Sequence, residues 1–263
     1  MTKNSQRLRA GFTLIELLTV IAIIGILAAI IIPTVGSVQK KAKRTANGSN
    51  LRQLGQSALI YAQDNKDRLP GLNLDSSTTN FARPRTGATS GTTVHLYAAA
   101  LAVSGGVNDA NFWVSSIDET LTGPGEIANS SVSTIVNGDK TAYTRDFDST
   151  EPAYAVVAGL TSADPATTPI MFTRGVSSTT GKWTATHGVY KDEGGFIYFI
   201  GGNLAYYKSL GSSDGPAGDG ELIDTSGVKT NNILKTIKTT RRVFANGNTG
   251  DTSSAVGTAG AGS

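Results

Sequence analysis

The chain has 263 residues, of which 39% are hydrophobic and only 16% charged, with 31 glycines; this favours a folded, loop-rich body of one moderate domain plus appendages. With no cysteine, disulfides, thiolate zinc sites and a cysteine nucleophile are excluded. The net charge of +3 comes from Lys3, Arg7 and Arg9 at the start; beyond residue 11 the chain holds 20 bases against 20 acids, no argument for nucleic acid.

The first element is the apolar run "FTLIELLTVIAIIGILAAIII", Phe12 to Ile32, broken only by Thr13, Glu16 and Thr19. Its 21 residues make a helix about 31 Å long, enough to cross a bilayer core. The threonines can bond back to their own helix, but Glu16 cannot. A secretory signal has a shorter apolar middle without an acid. A plain single-pass anchor explains the length and leaves Glu16 unexplained, since a carboxylate within the bilayer costs a few kcal/mol. A third reading gives the acid a partner. If the chain is cut after Gly11, the new amine of Phe12 lies one turn from Glu16, and in packed helices it can meet the carboxylate of a neighbouring copy. Bases flank both ends of the run, Lys40, Lys41, Lys43 and Arg44 following it, so charge counting does not choose an orientation.

The stretch "RLRAGFTLIELLTVIAIIGILAAIIIP" resembles the leader and N-terminal helix of type IV pilins and type II secretion pseudopilins. In that resemblance Gly11 precedes the prepilin peptidase cut and Phe12 is the residue that becomes N-methylated. Glu16 matches the family glutamate, while Gly25 and Pro33 match helix-loosening positions. It implies a cytoplasmic N-terminus, insertion in the bacterial inner membrane, then a periplasmic or cell-surface filament. The implied partners are other copies of the chain, prepilin peptidase, an inner-membrane assembly platform and minor pilins or pseudopilins.

From Thr34 to about Asn65 the pattern stays helical, with Val35, Val38 and Ala42 on one face and Leu51, Leu54, Ala58 and Tyr61 on another. "QKKAKR" reads as a solvated face or a contact with anionic headgroups ahead of nucleic acid. "NGSN" at Asn47–Asn50 weakens the helix, because glycine costs about 1 kcal/mol against alanine. One long, bent helix is expected, ended by "DNKDRLPG". Beyond it, "TVHLYAAALAV" from Thr93 reads as a short helix. Strands are expected at "FWVSS" from Phe112, "PAYAVVAGL" from Pro152, "PIMFTR" from Pro169, "KWTATHG" from Lys182 and "GGFIYFIGGNLAYYKSL" from Gly194. The last forms a hairpin about "GGN". Ala245 to Ser263 reads as a flexible tail. "LRQLGQSALIYAQDNKDRLP" with "HGVYKDEGGFIYFIGGN" also resembles pilin-like proteins of Verrucomicrobia and Planctomycetes, with Ile200-Gly201-Gly202 standing where those carry Asp-Gly.

The expected class is thus α+β: a long N-terminal helix, membrane-spanning then amphipathic, packed on an antiparallel sheet. The chain divides into a leader (1–11), the helix (12–66, apolar over 12–32), a head (67–245) and a tail (246–263).

Chemistry is sparse. "SLGSSDGPAGDGELID" from Ser209 resembles the calcium loop of major pseudopilins, which implies Asp214 and Asp224 as side-chain ligands and Leu210 as a carbonyl donor; the plain reading is a solvated acidic turn. His95 and His187 lack any nucleophile signature, and His187 reads as a turn residue. "GVSSTTGKW" has the wrong spacing for a phosphate loop, and Trp183 stands where Ser or Thr is needed. Asp146, Asp148 and Glu151 read as surface charges. The function expected is a non-enzymatic filament subunit, of a secretion pseudopilus or a type IV pilus-like fibre. The alternative is a membrane-tethered periplasmic binding module.

Overall fold

The structure, a computed structural model, describes residues 14–70, 93–104, 106–115, 117–118, 134–138, 147, 152–177, 180–186, 188–208, 210, 222–238 and 241–244. Gly11, Phe12, Asp214, His187, the Asp146/Asp148/Glu151 group, the leader and the tail lie outside them. The chain divides into two compact units, Met1–Arg44 and Thr45–Ser263.

Helix α1 runs unbroken over Leu14–Asp64. It ends with Lys66 and Asp67 in left-handed conformation. The Asp67 amide donates to the Ala62 carbonyl at 2.9 Å and the Asn65 side-chain amide to the Tyr61 carbonyl at 2.8 Å, so carbonyls left over by the last turn are satisfied. The second helix, α2, is Thr93–Ser104, as its composition suggested.

Within the unit Thr45–Ser263 the centre is a five-stranded antiparallel sheet. Its strands are β1 (Tyr154–Ala158), β2 (Pro169–Thr173), β4 (Gly195–Phe199), β5 (Leu204–Tyr207) and β8 (Arg242–Phe244), in the spatial order β5-β4-β2-β1-β8. Tyr154 stands opposite Thr173, Phe172 opposite Ile197, Phe196 opposite Tyr206 and Val157 opposite Val243. A short β3 (Val189–Asp192) precedes β4, and β6 (Leu222–Ile223) with β7 (Lys229–Thr230) makes a separate two-stranded hairpin. All ten residues of β1 and β2 are buried, so both faces of the sheet centre are covered; this is why they read as continuous apolar runs.

The later part of α1 covers one face. Leu51, Leu54 and Ala58 are fully buried in the core with Tyr97, Trp113, Tyr154, Phe172 and Tyr198. Gly48 and Gly55 let the sheet's aromatic rings approach the helix. A Cβ on Gly48 would lie 3.0 Å from the Phe196 ring, and one on Gly55 would lie 2.1 Å from Tyr198 Cδ1. Phe196 and Tyr198 are two apart on β4 and so share a face. Gly195 points the other way, where a Cβ would collide with Thr173 Oγ1 and the Trp183 ring. Trp183 is held there by its indole N–H, which donates to the Thr173 carbonyl at 3.1 Å.

"NGSN" therefore does not interrupt the helix. Asn47 is buried and its side-chain amide donates to Ser115 Oγ at 2.5 Å and to the Tyr190 hydroxyl at 2.9 Å, while Tyr154 donates to the Asn47 carbonyl at 2.8 Å. Each such bond contributes on the order of 1 kcal/mol, which with packing offsets the glycine penalty.

Two expected strands are absent. "FWVSS" instead begins inside a 3-10 turn, Ala110–Phe112, which the Asp109 carboxylate caps by accepting from the Asn111 amide. "KWTATHG" contributes only a bridge between Trp183 and Val176, since the Thr184 amide and carbonyl are taken by Gly175 and Gly188 in successive turns. The β4–β5 hairpin forms as expected. The Gly202 amide donates to the Phe199 carbonyl at 2.9 Å with Gly202 at φ +79°, so the turn closes without the Asp-Gly of similar chains.

Candidate membrane and assembly helix

The stretch Leu14–Ile32 of α1 is 19 residues, about 28 Å of helix, and long and apolar enough to cross a membrane. None of it is buried among the described residues. Leu14 is 79% exposed, Ile15 71% and Ile32 71%, and Leu17, Ile21, Ile24 and Leu27 each remain more than half exposed. Exposed aliphatic residues occupy every side of the cylinder. An ordinary surface helix has a polar face toward water, and this one has none.

Three hydroxyls along the helix are satisfied by its own backbone. Thr19 donates to the Glu16 carbonyl at 3.0 Å, Thr34 to Ile31 at 2.8 Å and Ser37 to Thr34 at 2.9 Å. They can enter an apolar environment without an orphaned polar group. Glu16 sits in the first turn, where the helix dipole favours a carboxylate. It is the only acid in the chain before Asp64.

The helix passes through Gly25 and Pro33 without interruption. Pro33 brings no N–H to the Ala29 carbonyl, which leaves one bond fewer in the ladder. A Cβ on Gly25 would meet nothing within 4 Å, in contrast with Gly48 and Gly55. The face expected from Val35 and Val38 is not buried among the described residues: they are 40% and 61% exposed.

The other chemistry-bearing residues are occupied structurally. His95 is buried on α2 with its ring edge-on to Phe147, centroids 5.0 Å apart. Of the proposed calcium ligands, Leu210 is buried and Asp224 is half-buried at the turn joining β6 and β7. Asp224 Oδ1 accepts from Ser226 Oγ at 2.7 Å and from the Ser226 and Val228 amides at 2.8 Å each. The Ser226 hydroxyl foremost, then the Val228 amide, holds its pKa below the usual carboxylate range. That turn is closed by the chain's own donors, and Oδ1 is committed to it. Among the described residues no three His, Cys, Asp or Glu side chains come together as a metal site.

Two charged clusters escaped the sequence reading. Arg174 pairs with Asp118 in the interior. Asp164, in the loop after β1, accepts from the Thr161 amide at 2.9 Å and pairs with Lys238 at 3.2 Å and Arg241 at 2.9 Å. Burial alone would raise the Asp164 pKa, but the Thr161 amide, Lys238 and Arg241 outweigh it and hold the group below its usual value. Arg241 is 77 positions from Asp164, so no local pattern announces the pair.

Residues 6–32 match the family described as the prokaryotic N-terminal methylation motif. Over 60 residues the chain is 38% identical to the type II secretion system core protein G of Pseudomonas aeruginosa, an alignment covering 23% of this chain and 42% of that one. The chain thus spans less than half the length of the curated relative it matches. No solved structure gives a significant match. With a prepilin-type motif, an exposed apolar helix behind it and an α+β body, the chain is similar to pilins and pseudopilins, the sequence likeness lying in its N-terminal part.

Proposed function

We propose that this chain is a structural subunit of a type II secretion pseudopilus or a type IV pilus-like filament. Prepilin peptidase cuts it after Gly11, Phe12 is N-methylated, and copies assemble through the N-terminal helix. The observation that carries this reading is the apolar circumference of Leu14–Ile32, none of which is buried among the described residues. Lipid can cover it before assembly, and the same helices of other copies afterwards. Burying one such aliphatic side chain contributes about 1.5–3 kcal/mol relative to water, so the helix cannot stay bare outside a membrane.

Glu16 then sets the register. Cleavage creates an amine at Phe12, and inside a water-free core a carboxylate is tolerated only beside a cation. A buried pair of this kind fixes which neighbour lies where more than it stabilises the whole. Gly25 and Pro33 loosen the helix during the transfer from bilayer to filament. The body supplies the filament surface and has no catalytic role in this reading.

The test is the mass and N-terminal sequence of protein from its native membrane. A start at methylated phenylalanine is the expected result, and a retained Met1 would overturn the reading. A cysteine-free chain also allows a Leu17→Cys variant to be crosslinked cleanly. Ladders of crosslinked copies are expected of a filament, whereas a simple tether for a binding module gives monomers.

A further inference from the structure

Between Glu16 and Asp64 the chain carries no carboxylate, yet Lys40, Lys41, Lys43 and Arg44 fall within five positions. All four lie on α1 and in the same compact unit as the apolar stretch, so helix geometry fixes their distance from it. Lys40, Lys41 and Lys43 are exposed and Arg44 is partly buried. At 3.6 residues per turn they spread over roughly 160° of the helix circumference.

Their height is informative. Lys40 lies eight residues past Ile32, about 12 Å along the axis. The polar layer on one side of a bilayer is about 5–8 Å thick. Side chains on a helix lean toward its N-terminus, here toward the apolar stretch, and long lysine and arginine stems let the charged ends reach still further. The cations therefore return to the level of lipid phosphates. The back-bonded hydroxyls of Thr34 and Ser37 lie in the intervening helix, which stays continuous past Pro33 and keeps the spacing fixed. A cluster of cations of one sign directly beyond a bilayer-length apolar stretch suits the anionic surface that lies at that level.

We propose that Lys40, Lys41, Lys43 and Arg44 form a cationic collar that binds anionic phospholipid headgroups where α1 leaves the bilayer. This rests on the reading that Leu14–Ile32 spans a membrane. The collar fixes the depth of the inserted subunit and adds a lipid-dependent hold that extraction into a filament must release. Each cation contributes about fivefold to the preference for an anionic surface, and salt weakens it.

The full chain carrying Ser37→Cys, labelled there with an environment-sensitive fluorophore, is reconstituted in vesicles of mixed phosphatidylcholine and phosphatidylglycerol. Bromine quenchers high on the acyl chain are carried by one lipid or the other. Quenching by the brominated anionic lipid is expected at about fivefold lower mole fraction or less. The preference should vanish near 1 M salt and in the variant K40Q/K41Q/K43Q/R44Q, while quenching by brominated phosphatidylcholine persists. Equal quenching by both lipids in the unmodified collar, or a preference that survives the fourfold substitution, would overturn the proposal. No quenching by either lipid would instead overturn the membrane-spanning reading beneath it, so the two failures look different.

Discussion

The two ends of α1 are one continuous helix with opposite fates. Over Leu14–Ile32 the aliphatic side chains are exposed on every side. Past Thr45 the helix buries Leu51, Leu54 and Ala58 completely, and its glycines receive the rings of Phe196 and Tyr198. The later part has found its partner inside its own chain. In the proposed function the earlier part takes its partner from outside, first lipid and then other copies. A substitution in one part should consequently disturb assembly and leave the body intact, and a substitution in the other should do the reverse.

The sharpest break of this contrast is Glu16→Ala. The variant should insert and be cut normally, and the thermal unfolding of its body should not change. Filament yield should fall by well over tenfold, since removing one partner of a buried ion pair costs roughly 3–5 kcal/mol per subunit. Normal yield in a sheared-fibre assay would remove the pairing with the Phe12 amine. The mirror experiment is Gly55→Ala. A Cβ there overlaps the Tyr198 ring, so the body should lose about 1–3 kcal/mol even though alanine is the better helix former. Gly25→Ala, open on all sides in the single chain, should leave body unfolding unchanged. Denaturant titration of the three proteins side by side checks this.

A smaller effect is expected at Asp164. Its carboxylate is buried but Lys238 is half exposed and Arg241 partly so, and solvent screening discounts the pair; Asp164→Asn should cost roughly 1–2 kcal/mol at neutral pH. Because the folded-state pKa is depressed, the contribution is complete above the unfolded value of about 3.9 and is lost as pH falls through the folded one. Melting curves of the two proteins should converge at the acid end, and a constant gap at all pH values would show that charge is not the cause. The smallest effect is at Asp224, where Ala opens the exposed β6–β7 turn and lowers the melting temperature slightly. The same small drop with and without millimolar calcium assigns Asp224 to the turn, whereas a loss seen only with calcium assigns it to a metal site with Leu210 and Asp214.

How much was legible depended on how local the cause was. The hairpin about Gly201-Gly202 was visible because a turn needs only its own residues to close. The strands at "PAYAVVAGL" and "PIMFTR" were visible because burial on both faces leaves a run of apolar residues. "FWVSS" misled because Phe112 and Trp113 look like strand residues, while Asp109 just upstream caps a 3-10 turn instead. Asn47 and Gly48 read as a weak point because their partners, Ser115, Tyr190 and Phe196, are far along the chain. The apolar stretch Leu14–Ile32 needed no tertiary information, since an apolar surface with one acid is a property of the segment itself.

What the sequence by itself determined is the first 32 residues: an N-terminal methylation motif, a bilayer-length apolar run and a single acid, Glu16, within it. Only the tertiary structure decided where that helix passes from the outside world into the protein's own core. The spacing of Leu51, Leu54 and Ala58 announces that a face is covered, but a periodicity carries no address for the covering surface. The packing of Phe196 and Tyr198 into two glycine notches supplies that address, and it exists only once the sheet has formed.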